Sequence, residues 1–533
     1  MGKQARKQVI HFGGPEVGVS NRLLVLLARH NVAIAILLVS VASARIVATY
    51  AVFNHTADEP SHIACGLEWL DKGIYRWEPQ HPPLARVAAA LGVYLSGIHS
   101  QPPLGPMQGY EMQREGLRIL YSDHQYQRNL TLARCGNLPF FWLACLVVYW
   151  WGRRYCGSVG AVLALFLFSL LPPVLAHAGL ATTDMALTAF TSAAFLAGLS
   201  WVEQPRPIRA LVFGLATAGG ILSKFSFLAF LPASTAFALG WYAVAERPPT
   251  SAIKAFAKRR APTFLLAVLV TCLACWAGYR FSTGRLGSSS LVLPAPELFQ
   301  GIRDVAAHNR EGHPGYLLGE RSWTGFLLFF PVALAVKTPI PFLALFGAGL
   351  VLLYRRSLPA GRPWLPLAFA AGILGVGLFS RIDIGVRHIM PIYIGFSLVT
   401  AAALLRLAEL ADRRVWLSIA MAVLVFWLMG TSILAHPDYL PYFNALAGDT
   451  PENILVDSDL DWGQDMNRLG ARLRAAGAEW VMFTPFVMTD SQKEHGFPLV
   501  LPSDVPSPSP GWNAVSVTVW KQRRMGLLDS ISR

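Results

Sequence analysis

Two adjacent carboxylates, Asp58 and Glu59, stand just past the first long apolar run, in the stretch Ala57-Asp58-Glu59-Pro60-Ser61-His62, and Gln80-His81-Pro82-Pro83-Leu84 follows shortly after. A carboxylate at a bilayer surface can take a proton from a hydroxyl or amine, which is general-base chemistry. Further ionisable residues mark the ends of apolar runs: Arg134 in "TLARCGNLPF", Asp184 in "ATTDMALTAF", Lys224 in "GILSKFSF" and Arg387-His388 in "DIGVRHIMP". Fixed Arg and Lys donors stabilise an anion best away from bulk water. Charge at membrane depth is costly, so each such residue is a functional candidate. Each also has a plainer reading. Asp58 or Glu59 suits the cap of a helix that begins at Pro60. A single Lys or Arg at a helix end can reach back to the interface. The set resists that reading, because its members converge on the membrane face that should be poor in Lys and Arg.

The elements that must position these residues follow from composition. The chain of 533 residues is 54% hydrophobic and 14% charged, with a mean hydropathy of +0.43. This excludes an ordinary soluble globule and predicts a polytopic α-helical membrane protein. A net charge of +14 invites a nucleic-acid reading. The basic residues, however, fall in short clusters between apolar runs: Arg153-Arg154, Arg206 to Arg209, Lys254 to Arg260, Arg355-Arg356 and Arg413-Arg414. That is the positive-inside pattern, and no nucleic-acid partner is expected. The six cysteines show no metal or disulfide framework. Lys3, Arg6, Lys7, Arg22 and Arg29 precede an apolar run that continues past Arg45 to Phe53, so an uncleaved first span with a cytoplasmic N-terminus is expected.

About eleven spans are expected, from 31–53 to 415–434. Threading them places the basic clusters inside, and residues 54–130, Asp184, Lys224, Arg381–His388 and everything after 435 outside. The run 323–354 is broken by Lys337-Thr338-Pro339, which predicts an interfacial helix over 323–337 and a crossing over 338–354. In the first loop, Gly73 should stop the helix begun at Pro60. Pro82-Pro83 should open a second helix through Leu91, with Gly92 as its stop. A transmembrane domain, 1–435, is thus expected to precede a small α/β domain, 436–533. In the latter, "PENILVDSDLDWGQDMNRLGARLRAAGAEWVMF" reads as strand, acidic loop, amphipathic helix and strand, and "GWNAVSVTVW" as a further strand.

"DEPSHIACGLEWLDKG" followed by "HPPLARVAAALG" resembles the first external loop of GT-C membrane glycosyltransferases of the family 39 kind, which include protein O-mannosyltransferases and bacterial lipid A aminoarabinose transferases. "GYLLGERSWTGFLLFFPVALAVKTPIP", "HPDYLPYFN" and "DSDLDWGQD" are similar to segments of bacterial phospholipid-carrier-dependent glycosyltransferases. The resemblance implies a GT-C fold in the bacterial inner membrane. It also implies hexosyl or pentosyl transfer from a polyprenyl-phosphate-linked sugar to a protein, lipid or glycan acceptor on the periplasmic or extracellular face. Asp58 matches the family's proposed base, with Glu59 as the neighbouring acid. Arg134 resembles the arginine that opens the second span, "VRHIMPIY" a late segment carrying Arg387, and Asp184 the second acid of many GT-C enzymes. His81, Lys224 and His388 join them as expected donor-phosphate and substrate contacts.

Two questions stay open in the sequence. The acidic run with Asp457, Asp459 and Asp461 resembles the start of a calcium loop, but its glycine falls one place late and Arg468 stands where a bidentate acid is needed. It could instead contact a sugar, given Trp462 among the acids, or be a solvated loop. A divalent metal is possible because the family varies in that respect. The rival function is a transporter or flippase of lipid-linked saccharides. It predicts symmetric halves and charges at mid-membrane, whereas no internal repeat is evident and the charges gather at one face.

Overall fold

The computed structural model describes residues 19–101, 109–287, 291–358, 363–411, 414–486, 492–502 and 510–522. Lys3, Arg6, Lys7 and Arg413 therefore lie outside the described residues. Seven described helices are long and apolar enough to cross a membrane, or eight with one bent pair counted. One of them, Leu138–Ser169, is broken at Gly157, whose φ of 73° and ψ of −173° are not helical. A Cβ on Gly152 would stand 2.9 Å from the Cα of Ala161, so the chain doubles back there and the helix is a hairpin of two arms. Two shorter apolar helices, Pro207–Ser223 and Trp364–Gly377, complete the bundle. The polytopic architecture expected from hydropathy is therefore present.

The run 323–354 is broken where the sequence placed the break. Helices Phe329–Lys337 and Ile340–Tyr354 meet at 117° about the Thr338-Pro339 break. The first arm packs one face into protein, with Phe329, Phe330, Ala333 and Lys337 buried, while Trp323, Leu327 and Leu328 just before it stay exposed. Broken backbone at this depth must be satisfied internally. Asn444 does this, donating from Nδ2 to the carbonyls of Ala335 and Thr338, both at 2.6 Å.

In the first loop a helix spans Glu59–Leu67 and ends through a π-turn, Glu68–Lys72, at left-handed Gly73. The second helix, Pro83–Leu95, runs past Gly92. Gly92 is no stop; a Cβ there would approach the Leu132 carbonyl oxygen to 3.0 Å, so the glycine permits close helix packing.

One large apolar cluster runs from Ala42 through Phe141, Phe168 and Tyr393 to Tyr439, Leu455 and Trp462. Residues just beyond 436 thus pack into the bundle. A separate small core of Met466, Leu473, Val481, Phe483 and Phe497 begins later. It supports the helix Met466–Ala475 and a sheet in which Trp480–Thr484 pairs in parallel with Leu499–Pro502 and Asn513–Val515. The strand expected around "NILV" is instead the 3-10 turn Pro451–Asn453 and loop. The last expected strand stops at Val515. Asp461 Oδ2 accepts from Val517 N at 2.8 Å, and the chain turns into the helix Val517–Gln522.

Candidate active site

Asp58 precedes the helix Glu59–Leu67, but its side chain makes no capping bond. It reaches across the molecule instead. Arg387 Nη1 donates to Asp58 Oδ2 at 3.0 Å and to Asp184 Oδ2 at 3.3 Å. Lys224 Nζ donates to Asp184 Oδ1 at 2.6 Å. Asp58, Arg387, Asp184 and Lys224 thus form one alternating chain of charge drawn from four distant segments. The Asp184 side chain is 0% exposed and that of Arg387 5%, whereas that of Asp58 is 35% exposed. The chain of charge opens at its Asp58 end.

Each member is placed by a helix end. Asp184 begins the helix Asp184–Glu203, and Lys224 terminates Pro207–Ser223. Arg387 lies in the 3-10 turn Val386–Ile389, after Gly385 with φ 155°. A Cβ on Gly385 would collide with Ser458 Oγ, so glycine is required for the two segments to meet. His388 sits in the same turn. Burial, then Lys224 and Arg387 nearby, hold its imidazole well below the usual range, so it is neutral.

Glu59 has a different place. Its carboxylate is 0% exposed and accepts from Arg134 Nε and Nη2, both at 2.9 Å, from Ala181 N at 2.9 Å and from Thr56 N at 2.8 Å. Burial pushes its pKa up, but Arg134 and these bonds outweigh that and hold it below the usual value. Arg134 also donates to the carbonyls of Phe53 and Asn54, at 3.0 and 2.8 Å. Both residues were expected to meet substrate. Their hydrogen bonds are instead directed inward, and they fasten the first loop to the bundle.

His81 stands aside from the charge chain. Its Nδ1 is 3.2 Å from both oxygens of Glu78, and its ring meets that of His62 edge-on with centroids 5.2 Å apart.

The tail supplies further parts, of which the sequence pointed to Trp462 alone, and for a different role. Ser458 Oγ accepts from Arg387 Nε at 3.0 Å, and the guanidinium lies 4.1 Å from the centroid of the buried Trp462 ring. A cation held over an indole is stabilised by the ring quadrupole. Lys337, also overlooked, donates to the carbonyls of Leu440 and Asp459 at 2.7 and 2.5 Å, fixing the loop behind Arg387. The same loop holds the approach to Asp58: Ala57 N donates to Trp462 O at 3.2 Å, and Asn54 Nδ2 to Gly463 O at 2.6 Å. Trp462 was visible as an aromatic among acids, and Lys337 as a charge in an apolar run. Ser458 carried no signal.

The acidic run is not a metal cage. Asp457 accepts from Ser458 N at 2.7 Å, Asp459 from Val386 N at 3.1 Å, and Asp461 from Gly463 N at 3.0 Å, so each carboxylate turns to a different backbone group. Among the described residues no three His, Cys, Asp or Glu side chains gather as ligands. Asp457 sits near Arg387 and Asp58. Burial above all pushes its carboxyl up to about 7, against the pull of Arg387 and the Ser458 N–H.

No protein-family model matches the chain, and no curated protein matches it. Solved structures do resemble it. ArnT from Cupriavidus metallidurans bound to undecaprenyl phosphate superposes with a TM-score of 0.52 at 14% identity, over 89% of this chain and 86% of that one. The apo state of the same protein gives 0.49 at 15% identity, over 88% and 86%. The apo oligosaccharyltransferase of Archaeoglobus fulgidus gives 0.43 at 14%, over 90% of this chain but 62% of that one. The ArnT complex is near enough to establish a shared architecture: the chain has the GT-C membrane fold.

Proposed function

We propose that the protein transfers a sugar from a polyprenyl-phosphate-linked donor to an acceptor hydroxyl or amine, with the N-terminus cytoplasmic and the reaction on the outer face of the bacterial inner membrane. The observation that carries this reading is the Asp58–Arg387–Asp184–Lys224 chain, most open at its Asp58 end, where the side chain is 35% exposed against 10% for Lys224. Asp58 takes the acceptor proton as the acceptor atom attacks the anomeric carbon. The bond from that carbon to the phosphate oxygen breaks in the same displacement, with inversion, and its electron pair leaves on the phosphate. Arg387 and Lys224 neutralise the charge that collects there. Asp184 holds the two cations together, and His388 stays a neutral neighbour. Trp462 keeps the guanidinium in place and shields it from water.

The apolar bundle supplies the route by which a polyprenyl chain brings its phosphate to this point, and lipid is the surrounding partner. The ArnT structure with undecaprenyl phosphate supports a lipid-phosphate donor here, as do the first-loop motifs. The sugar and acceptor follow from experiment: purified protein in liposomes is offered a panel of radiolabelled polyprenyl-phosphate sugars. Consumption of one of them, abolished in Asp58→Asn, is the expected result. Movement of an intact donor across the bilayer without cleavage would replace the reading with that of a flippase.

A further inference from the structure

A second buried cluster lies one helical turn from Asp58 and has no part in the chemistry above. Arg86 is 1% exposed and ion-pairs with Glu78. Its Nη1 donates to the Glu78 carbonyl at 2.9 Å and to Tyr75 Oη at 3.1 Å, and its Nε donates to His62 Nδ1 at 2.9 Å. A buried ion pair contributes little net stability over apolar packing, so its geometry calls for another use.

An arginine nitrogen can only donate. His62 Nδ1 must therefore present a lone pair, and the single ring proton resides on Nε2. One nitrogen is held by Arg86 and the other is already protonated, so His62 cannot serve as a base. It is a fixed, neutral N–H donor. Burial, then Arg86 and His81, hold its pKa well below the usual range, in keeping with that state. His62 N donates to Asp58 O at 3.1 Å, so the two residues are one turn apart on the same helical face.

We infer that His62 offers its Nε2–H to an oxygen of the leaving phosphate, with Arg86 and Glu78 as positioning residues that fix its tautomer. The inference rests on the function proposed above. A neutral donor adds a hydrogen bond beside Arg387 without adding a further charge to a crowded site.

The test uses binding of undecaprenyl phosphate to the detergent-purified full chain. His62→Asn keeps an acceptor toward Arg86 but removes the far nitrogen, whereas His62→Gln places an amide near it. His62→Asn should weaken binding by roughly ten- to a hundredfold, the scale of one bond to a charged group. His62→Gln should recover most of that loss although it leaves Arg86 Nε without its acceptor and unfolds at a lower temperature, whereas His62→Asn should unfold near the wild-type temperature. Wild-type affinity in His62→Asn would overturn the inference while leaving the proposed function standing. Binding by Arg387→Gln equal to wild type would overturn the function itself.

A second arm tests the tautomer. Glu78→Gln/Arg86→Gln removes the pair without changing net charge and frees Nδ1 to take a proton. The titratable and charged groups left around His62 are then His81, Asp184 and Arg387. Burial still opposes the second proton, so binding by this variant should tighten relative to wild type only as pH falls well below about 6.5. The phosphate also titrates near there, so the difference between the two profiles is the measurement. Superimposable profiles would sink the assignment.

Discussion

Asp58 and Glu59 are neighbours in the chain, yet they anchor two ion-pair systems of opposite character. Glu59 and Arg134 form a sealed pair, with side chains 0% and 1% exposed and both carboxylate oxygens committed to fixed donors. Asp58 gives one oxygen to Arg387 and keeps a third of its side chain open. Successive helical residues point about 100° apart, so one acid turns into the packed loop and the other toward the cleft. The same chemistry thus serves as a rivet in one case and, on the proposed function, as a reactive end in the other. Burial and the number of competing donors decide which.

The comparison can be broken most directly at its open end. Asp58→Asn removes proton-accepting power, and single-turnover transfer should fall about 10² to 10⁴-fold with thermal stability nearly unchanged. A wild-type rate would move the reactive role elsewhere. Glu59→Gln should show the reverse signature. Breaking a sealed pair from one side costs about 3–5 kcal/mol, so the unfolding temperature should drop sharply. Loss of turnover in a Glu59→Gln protein of native stability would invert the assignment of the two acids.

Arg387→Lys sharpens the contrast further. It keeps a charge but cannot reach Ser458, Asp58 and Asp184 with one planar fork, and turnover should fall roughly tenfold in protein that remains folded. Turnover at the wild-type level would make Arg387 a mere end-of-helix charge.

A last effect, read in stability and not in turnover, concerns the loop that supports the open end. Asp457 titrates at about 7 in the folded protein against an ordinary 3.8. Folding therefore favours its protonated form. That contribution is complete below about pH 4 and is lost as pH rises toward about 7. Between about pH 5 and about pH 8, wild-type thermal stability should decline more than that of Asp457→Asn. Equal slopes in the two proteins would remove Asp457 from the account.

Hydropathy and charge placement made the bundle legible, because spans are written in local composition. The Asp58, Asp184, Lys224 and Arg387 set was legible too, since charge at the ends of apolar runs needs a reason. What local pattern does not carry is which acid meets which base. Arg134 and Arg387 have the same side chain and similar settings in sequence, and only the packing of the first loop gives one to Glu59 and the other to Asp58. Gly92 read as a stop, but its meaning depended on the backbone at Leu132. Ser458 was invisible because its role exists only where a turn at Gly385 comes against it. At Pro451–Asn453 a 3-10 turn stands in place of the strand, and among the described residues the apolar ones that follow make a single backbone bond to a distant segment, from Leu318 N to Ile454 O at 3.0 Å, rather than a ladder.

Arg387 joins Asp58 across 329 residues and leans on Ser458 and Trp462 from still later in the chain. No N-terminal fragment, however well inserted, contains an assembled reaction centre. During synthesis every span up to Val415–Leu434 must be delivered before the loop that steadies Arg387 can close. On the proposed function, a nascent or prematurely terminated chain is thereby kept from acting on its donor. Timing of this kind is a safeguard that arises from chain order alone.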